Sequence, residues 1–141
     1  MDQFVVFITN HWILASLFVV VLVALLINEW IGRQFGLPEV NPEVAVQMMN
    51  RTEAQIFDIR GESAFQSGHI LGSHTVPRQS LEKKIAVLMQ YADKPVIVVG
   101  SLDQETSKVG QELQQKGFKQ LSILRGGIPA WTRAGLPLVK S

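Results

Sequence analysis

Residues 94–99 read Lys-Pro-Val-Ile-Val-Val, and this segment carries the clearest secondary-structure pattern in the chain. Pro95 opens it, and the four residues that follow are all β-branched. An unbroken β-branched run of this length is typical of a strand that is buried on both faces, as in the centre of a parallel sheet. The stretch therefore predicts the central strand of an α/β fold.

Strand and helix patterns alternate on both sides of this run. An apolar stripe with helical spacing precedes it, and a second helical segment over 105–116 follows it and stops at Gly117. The stripe consists of Leu81, Ile85, Leu88, Met89 and Ala92. Further short strands are predicted at 55–59, 73–76 and 121–124, and short helices at 62–67 and 126–131. This alternation predicts a parallel sheet flanked by helices.

The start of this domain is predicted from glycine and proline punctuation. Gly36 and Pro38 interrupt the chain just before Asn41, which is a favoured N-cap residue, and Pro42 suits the first turn of a helix. We therefore expect three parts: a membrane anchor over 1–30, a linker over 31–40 and one domain over 41–138.

A long apolar run precedes the linker. The 24 residues of 4–27 carry no charge, and as a helix they would extend about 36 Å, more than the ~30 Å of a bilayer's hydrocarbon core. A cleavable signal peptide would have a basic start and a shorter apolar stretch. A helix that is apolar on all sides does not suit the core of so small a soluble domain. The run predicts a single-span anchor, with the lipid bilayer as its partner.

Charge predicts the orientation of this anchor. All 13 Lys and Arg residues follow residue 32, so the positive-inside rule places the N-terminus outside the cell's inner membrane and the domain in the cytoplasm. Periplasmic placement of the same domain, sensing a small ligand, is the alternative.

Four polar residues interrupt the run, and they either contact another membrane protein or lie at the interface. They are Thr9, Asn10, His11 and Ser16.

Composition excludes several kinds of site. The chain has no cysteine, which removes disulfides, thiolate metal sites, iron–sulfur clusters and cysteine nucleophiles. Its longest basic run is Lys83-Lys84, and no aromatic residues interleave with basic ones, so we expect no nucleic-acid partner. His69 and His74 lack a third ligand at metal-binding spacing, so we expect no metal and no cofactor.

Three segments together resemble the rhodanese-like family. They are FDIRGESAFQSGHILGSHTVP at 57–77, KPVIVV at 94–99 and LRGGIPAW at 124–131. The residues that carry the resemblance are Asp58, Arg60, Gly68, His69, Ile70, Gly72, Gly126, Gly127 and Trp131. The resemblance implies a parallel five-stranded sheet flanked by helices, with structural roles for these residues. The apolar segment in front is similar to that of single-span, membrane-anchored bacterial members.

The same resemblance places the family's active-site loop directly after the central strand. In the family, a catalytic cysteine opens a loop of the form C-x-x-G-x-R and carries a sulfane sulfur as a persulfide. Here Gly100 stands at the cysteine position, Asp103 at the loop glycine and Glu105 at the loop arginine. The degenerate loop comprises Gly100, Ser101, Leu102, Asp103, Gln104 and Glu105. The resemblance therefore implies the family's fold without a catalytic residue for its chemistry.

Several residues in and around this loop have two interpretations. Ser101 is either a substitute nucleophile, which would need an activating base, or part of a capping box with Gln104. Asp58 and Arg60 form either an acid/base pair or a structural charge network. The loop's acidic residues either complement the helix dipole or face a basic partner.

These observations predict an inactive rhodanese-like domain that acts as a protein-binding or regulatory module at the membrane. Its expected partner is another membrane or membrane-associated protein. The rival hypothesis is a sulfurtransferase-family enzyme with residual or non-cysteine group-transfer activity, and it requires a nucleophile other than cysteine.

Overall fold

A computed structural model describes residues 1–140, apart from the side chains of 32–35. The chain forms two compact units, one ending at Gly36 and the other beginning at Leu37. The first unit is helical, and the second contains every strand among the described residues.

The first unit consists of α1 (Asp2–Asn10) and α2 (Trp12–Phe35), which are separated at His11. The hydroxyl of Thr9 donates to the carbonyls of Val5 and Val6, both at 3.0 Å. The apolar run of 4–27 was expected to form one helix. The break divides it, and the segment long and apolar enough to cross a membrane is Trp12–Ile31.

The described residues of the second unit form five strands and five α-helices. The strands are β1 (Glu39–Val40), β2 (Gln55–Asp58), β3 (His74–Thr75), β4 (Val96–Val99) and β5 (Leu121–Leu124). The helices are α3 (Pro42–Thr52), α4 (Glu62–Ser67), α5 (Leu81–Leu88), α6 (Asp103–Lys116) and α7 (Gly127–Arg133). Short 3₁₀ turns lie at Arg78–Ser80 and Met89–Tyr91.

The strands form one sheet in the order β1-β5-β4-β2-β3, and every pairing is parallel. Central strand β4 is buried along its whole length, as its β-branched sequence predicts. The predicted parallel five-stranded sheet flanked by helices is confirmed.

The segment 31–40, predicted as a linker, contains regular structure at both ends. Helix α2 continues to Phe35, and Glu39 and Val40 form β1. The backbone N–H of Ile123 donates to the carbonyl of Pro38, and that of Arg125 donates to the carbonyl of Val40, both at 2.9 Å. A two-residue strand is too short to show periodicity in the sequence. The hydrogen bonds to Pro38 and Val40 hold it in the sheet.

Two apolar layers cover the faces of the sheet. The larger contains Phe57, Ile59, Val76, Leu81, Leu88, Val96, Val98, Val109, Leu113, Phe118 and Leu121. The other contains Ala45, Ala54, Ile56, Ile70, Ile97, Val99, Leu124 and Trp131. Alternate residues of β4 supply both layers, which makes this strand the centre of the core.

Helix ends match the sequence pattern in part. Gly117 ends α6 in the left-handed conformation, at φ 116°, as a glycine after a helix is expected to do. The capping box predicted for Ser101 and Gln104 is wrong, because the N-cap residue is Leu102 and no side chain caps the helix. Asn41 is the N-cap residue of α3, but its side chain makes no capping hydrogen bond.

Candidate functional site

The loop 100–105 lies at the carboxyl end of β4, the edge at which open parallel sheets generally bind their ligands. Gly100 follows the strand directly, and α6 begins at Asp103. The five residues from Ser101 to Glu105 are all exposed to solvent. Leu102, whose side chain is 59% exposed, is the one large apolar residue among them.

Gly100 has no space for a side chain. A Cβ built on it would collide with the hydroxyl of Thr106 and would lie 3.1 Å from the side chain of Ile59. The Thr106 hydroxyl is held there because it donates to the carbonyl of Leu102 at 2.7 Å. A hydroxyl from the first turns of α6 thus fills the position that a β-carbon at residue 100 requires.

The turn at Gly126-Gly127 closes over the same point. A Cβ built on Gly127 would lie 2.7 Å from the carbonyl oxygen of Gly100, and Gly127 has φ 59°. Close approach of the two backbones therefore requires glycine at position 127. Gly126 and Gly127 were predicted as signature residues, and the structure places the second of them against the loop.

Charges around the loop are partly compensated. Nη1 of Arg78 lies 3.6 Å from Oε1 of Glu105, and both side chains are about half exposed. Asp103 makes no ion pair within the described part of the chain. Sequence reasoning missed Arg78, because it lies in a short 3₁₀ turn with no pattern that links it to the loop. The acidic character predicted for the loop thus resides mainly in Asp103.

Asp58 and Arg60 form a buried charge network at the end of β2. Nε of Arg60 donates to the carboxylate of Asp58 at 2.9 Å, and Nη2 donates to the same carboxylate at 2.7 Å. The second of these nitrogens also donates to the carbonyl of Gly68 at 2.8 Å. Asp58 is 1% exposed. Every one of these contacts is internal, which favours the structural interpretation over an acid/base pair.

His69 links two distant segments. Its backbone N–H donates to the carbonyl of Val139 at 2.9 Å, and the N–H of Val139 donates back at 2.8 Å. Its Nδ1 lies 2.8 Å from the carbonyl of Phe65, and the two rings stack at 3.9 Å. Trp131 ties down the same C-terminal segment, because its Nε1 donates to the carbonyl of Pro137 at 3.1 Å.

The two remaining signature glycines lie near this link. Gly68 is buried, and a Cβ on it would lie 3.3 Å from the side chain of Leu138. Gly72 has φ 81° and lies in the turn in which the N–H of Ser73 donates to the carbonyl of Ile70.

His74 lies apart from the loop on edge strand β3. Its Nε2 is 2.9 Å from Oε1 of Gln55, and its ring packs against Phe57 and Tyr91. Burial lowers the pKa of His74 below the ordinary value of 6.5. Both histidines of the domain thus make their hydrogen bonds with residues other than Ser101. Among the described residues, no three His, Asp or Glu side chains form a group that could hold a metal ion.

Comparisons with known proteins agree with this geometry. Residues 41–134 match the family model of the rhodanese-like domain. The chain is 28% identical over 141 residues to the uncharacterized protein YibN of Escherichia coli K12, covering 99% of each chain. It is 30% identical over 104 residues to the thiosulfate sulfurtransferase GlpE of Vibrio cholerae, covering 72% of this chain and 94% of that one.

A solved structure shares the fold. The Alr3790 protein from Anabaena superposes with a TM-score of 0.65 at 27% identity, covering 72% of this chain and 82% of the other. The family match spans about two thirds of the chain, and it includes the sheet from β2 to β5 and the loop after β4. The chain belongs to the rhodanese-like domain family, and it has no cysteine.

Proposed function

We propose that this chain is a membrane-anchored rhodanese-like domain without sulfurtransferase activity, and that it works as a protein-binding or regulatory module. The observation that carries the proposal is the loop after β4. The chain has no cysteine, and the space beside Gly100 is filled by Thr106 and Ile59. The family's reaction needs a thiolate to carry the sulfane sulfur, and neither the thiol nor the room for one is present.

No other side chain at the loop replaces the missing thiol. A serine nucleophile needs an adjacent base, and the two histidines of the domain, His69 and His74, bond to residues other than Ser101. Asp103 adds a negative charge where an anionic sulfur donor would have to approach. These features support inactivity over a non-cysteine route.

The loop is suited to binding because it is exposed and already ordered. Leu102 is exposed and is followed by the carboxylate of Asp103, which has no ion-pair partner among the described residues, and Thr106 holds the carbonyl of Leu102 in place. A pre-ordered surface loses less conformational entropy on binding. The fitting partner is a protein surface with an apolar pocket next to a basic side chain.

The apolar helix supports the membrane part of the proposal. Trp12–Ile31 has the length and composition of a span, and every Lys and Arg follows it. By the positive-inside rule we propose an inner-membrane protein with its N-terminus outside and its domain in the cytoplasm.

A sulfurtransferase assay tests the catalytic half of the proposal. The purified full chain in detergent, given thiosulfate and cyanide, should form thiocyanate no faster than a reaction without protein. The Vibrio cholerae thiosulfate sulfurtransferase serves as the active control. Transfer above the protein-free rate would contradict inactivity.

A crosslinking experiment tests the binding half. A photoreactive amino acid at Leu102 of the full chain, in membranes, should give a discrete protein adduct, and the same probe at Leu71, a 71% exposed residue outside the loop 100–105, should not. Asp103→Lys should abolish the adduct and Asp103→Glu should keep it. An adduct that forms equally from Leu71, or that ignores the charge at position 103, would contradict binding through the loop.

A further inference from the structure

The residues that join the domain to the apolar helix are attached firmly to the sheet. Strand β1 pairs with β5, and Nε of Arg125 donates to the carboxylate of Glu39 at 3.0 Å. Together with the backbone bonds from Ile123 and Arg125, these contacts fix the path of residues 37–40. We call this segment the strap.

The first residue of the strap is seated on α6. A Cβ built on Gly110 would collide with Cδ1 of Leu37, so the leucine side chain occupies a notch that exists because residue 110 has no side chain. Leu37 also packs against the larger apolar layer of the core. Gly110 itself is buried.

The notch is one helical turn from the loop. Thr106 and Gly110 are four residues apart and therefore lie on the same face of α6. Thr106 in turn holds the carbonyl of Leu102 and fills the space beside Gly100. A continuous set of contacts thus runs from Leu37 through α6 to the loop.

We infer that the strap is a conformational device: seating of Leu37 in the Gly110 notch keeps α6 and loop 100–105 ordered, and its release loosens them. Leu37 follows Gly36, where the helical unit ends, so force transmitted along the chain from that unit acts first on this residue. The role of the strap is inferred from contacts within the domain. Only the step in which the membrane helix pulls on the strap rests on the function proposed above.

Hydrogen exchange on the full chain in lipid nanodiscs tests the inference. Leu37→Ala should speed amide exchange in residues 101–110 by about tenfold, because α6 loses a packed side chain and opens more often. Leu71→Ala is the matched control, since it truncates an exposed leucine that is not part of α6 or the strap, and it should leave these amides unchanged. The milder Leu37→Val should give an intermediate increase and keeps the test valid if the alanine variant unfolds.

Gly110→Ala should change amide exchange in opposite directions in two different backgrounds. With Leu37 present, the new methyl group competes for the notch and should speed exchange of the same amides. In a chain that already carries Leu37→Ala, the notch is empty, and alanine at position 110 should slow exchange because it favours a helix over glycine. The inference is overturned if Gly110→Ala changes the amide exchange rate in the same direction in both chains. It is also overturned if Leu37→Ala and Leu71→Ala have the same effect on exchange in the loop. Neither outcome depends on sulfurtransferase activity or on a binding partner.

Discussion

Gly100 lies where β4 ends, and Thr106 and Ile59 leave its α-carbon no room for a substituent. We therefore expect Gly100→Ala to lower the free energy of unfolding by about 1–3 kcal/mol, the usual cost of overpacking. The penalty should be smaller when Thr106 is also changed to alanine, since the colliding hydroxyl is then gone. Urea unfolding of the four chains measures this difference, and an equal penalty in both backgrounds would show that Thr106 is not the obstacle.

The same crowding affects any attempt to restore sulfur transfer. Gly100→Cys combined with Asp103→Gly and Glu105→Arg recreates the residue types of the family loop, but Thr106 still fills the space for the new side chain. We expect little thiocyanate formation from this triple variant and measurable formation once Thr106→Ala is added. Full activity of Gly100→Cys alone would instead show that neither the crowding nor the acidic charges matter.

Asp58 and Arg60 offer a contrast between breaking and replacing a buried ion pair. Asp58→Asn leaves the guanidinium buried without its counter-charge and should cost about 3–5 kcal/mol of stability. Replacing both residues together, Asp58→Asn with Arg60→Met, should cost less than the single change. Chemical denaturation of both variants checks the order, and a double variant less stable than Asp58→Asn would reverse it.

His74 makes stability depend on pH. Because burial holds its pKa below 6.5 in the folded protein, the unfolded chain binds the proton more readily. Its contribution to stability is therefore complete above about pH 6.5 and is lost as the pH falls through that value toward the folded pKa. His74→Gln should weaken the dependence of the urea midpoint on pH between about 7.5 and 5.5, whereas an identical pH profile would rule this group out.

At the scale of elements, β4, β5 and α4 could be predicted to the residue because their local patterns coincide with their tertiary environment. The run 96–99 is β-branched and buried on both faces, so propensity and packing agree. Strand β1 and the break at His11 could not be predicted. The first depends on bonds to residues far along the chain, and no pattern in the sequence marks the second.

The candidate loop was predictable in position but not in its contacts. The sequence predicted a loop at 100–105 directly after the central strand, and the structure places it at the end of β4. The roles of Thr106, Arg78 and Leu37 depend on which side chains meet in space, and no spacing in the sequence reports this. The predicted capping box is wrong because Leu102 is the N-cap residue of α6 and no side chain caps the helix.

The contacts of the strap predict where the domain can be truncated without loss of stability. A fragment that starts at Leu37 should be soluble, monomeric and cooperatively folded, since it keeps β1 and the side chain in the notch. A fragment that starts at Asn41 loses both and should be less stable by about 1–3 kcal/mol from the lost leucine burial alone. Equal urea midpoints for the two fragments would contradict this.

At the scale of the whole molecule, the absence of cysteine allows a clean test of topology. A cysteine at Gln3 should react with an impermeant maleimide in intact spheroplasts of a bacterial host, and one at Lys116, in the last turn of α6, should react only after lysis. The wild-type chain, which has no thiol, is the unlabelled control. The opposite labelling pattern would reverse the proposed orientation.

The order of the strands also sets a schedule for biosynthesis. Strand β1 emerges from the ribosome first, but its neighbour β5 is translated about 80 residues later, roughly 4–16 s at ordinary elongation speeds. During that interval the nascent β1 has no sheet to join, and the edge of β4 that β5 will cover stays open. A chaperone that recognises exposed apolar strands can therefore bind the nascent chain until Leu124 leaves the exit tunnel. The β4–β5 and β1–β5 pairings cannot form before that moment.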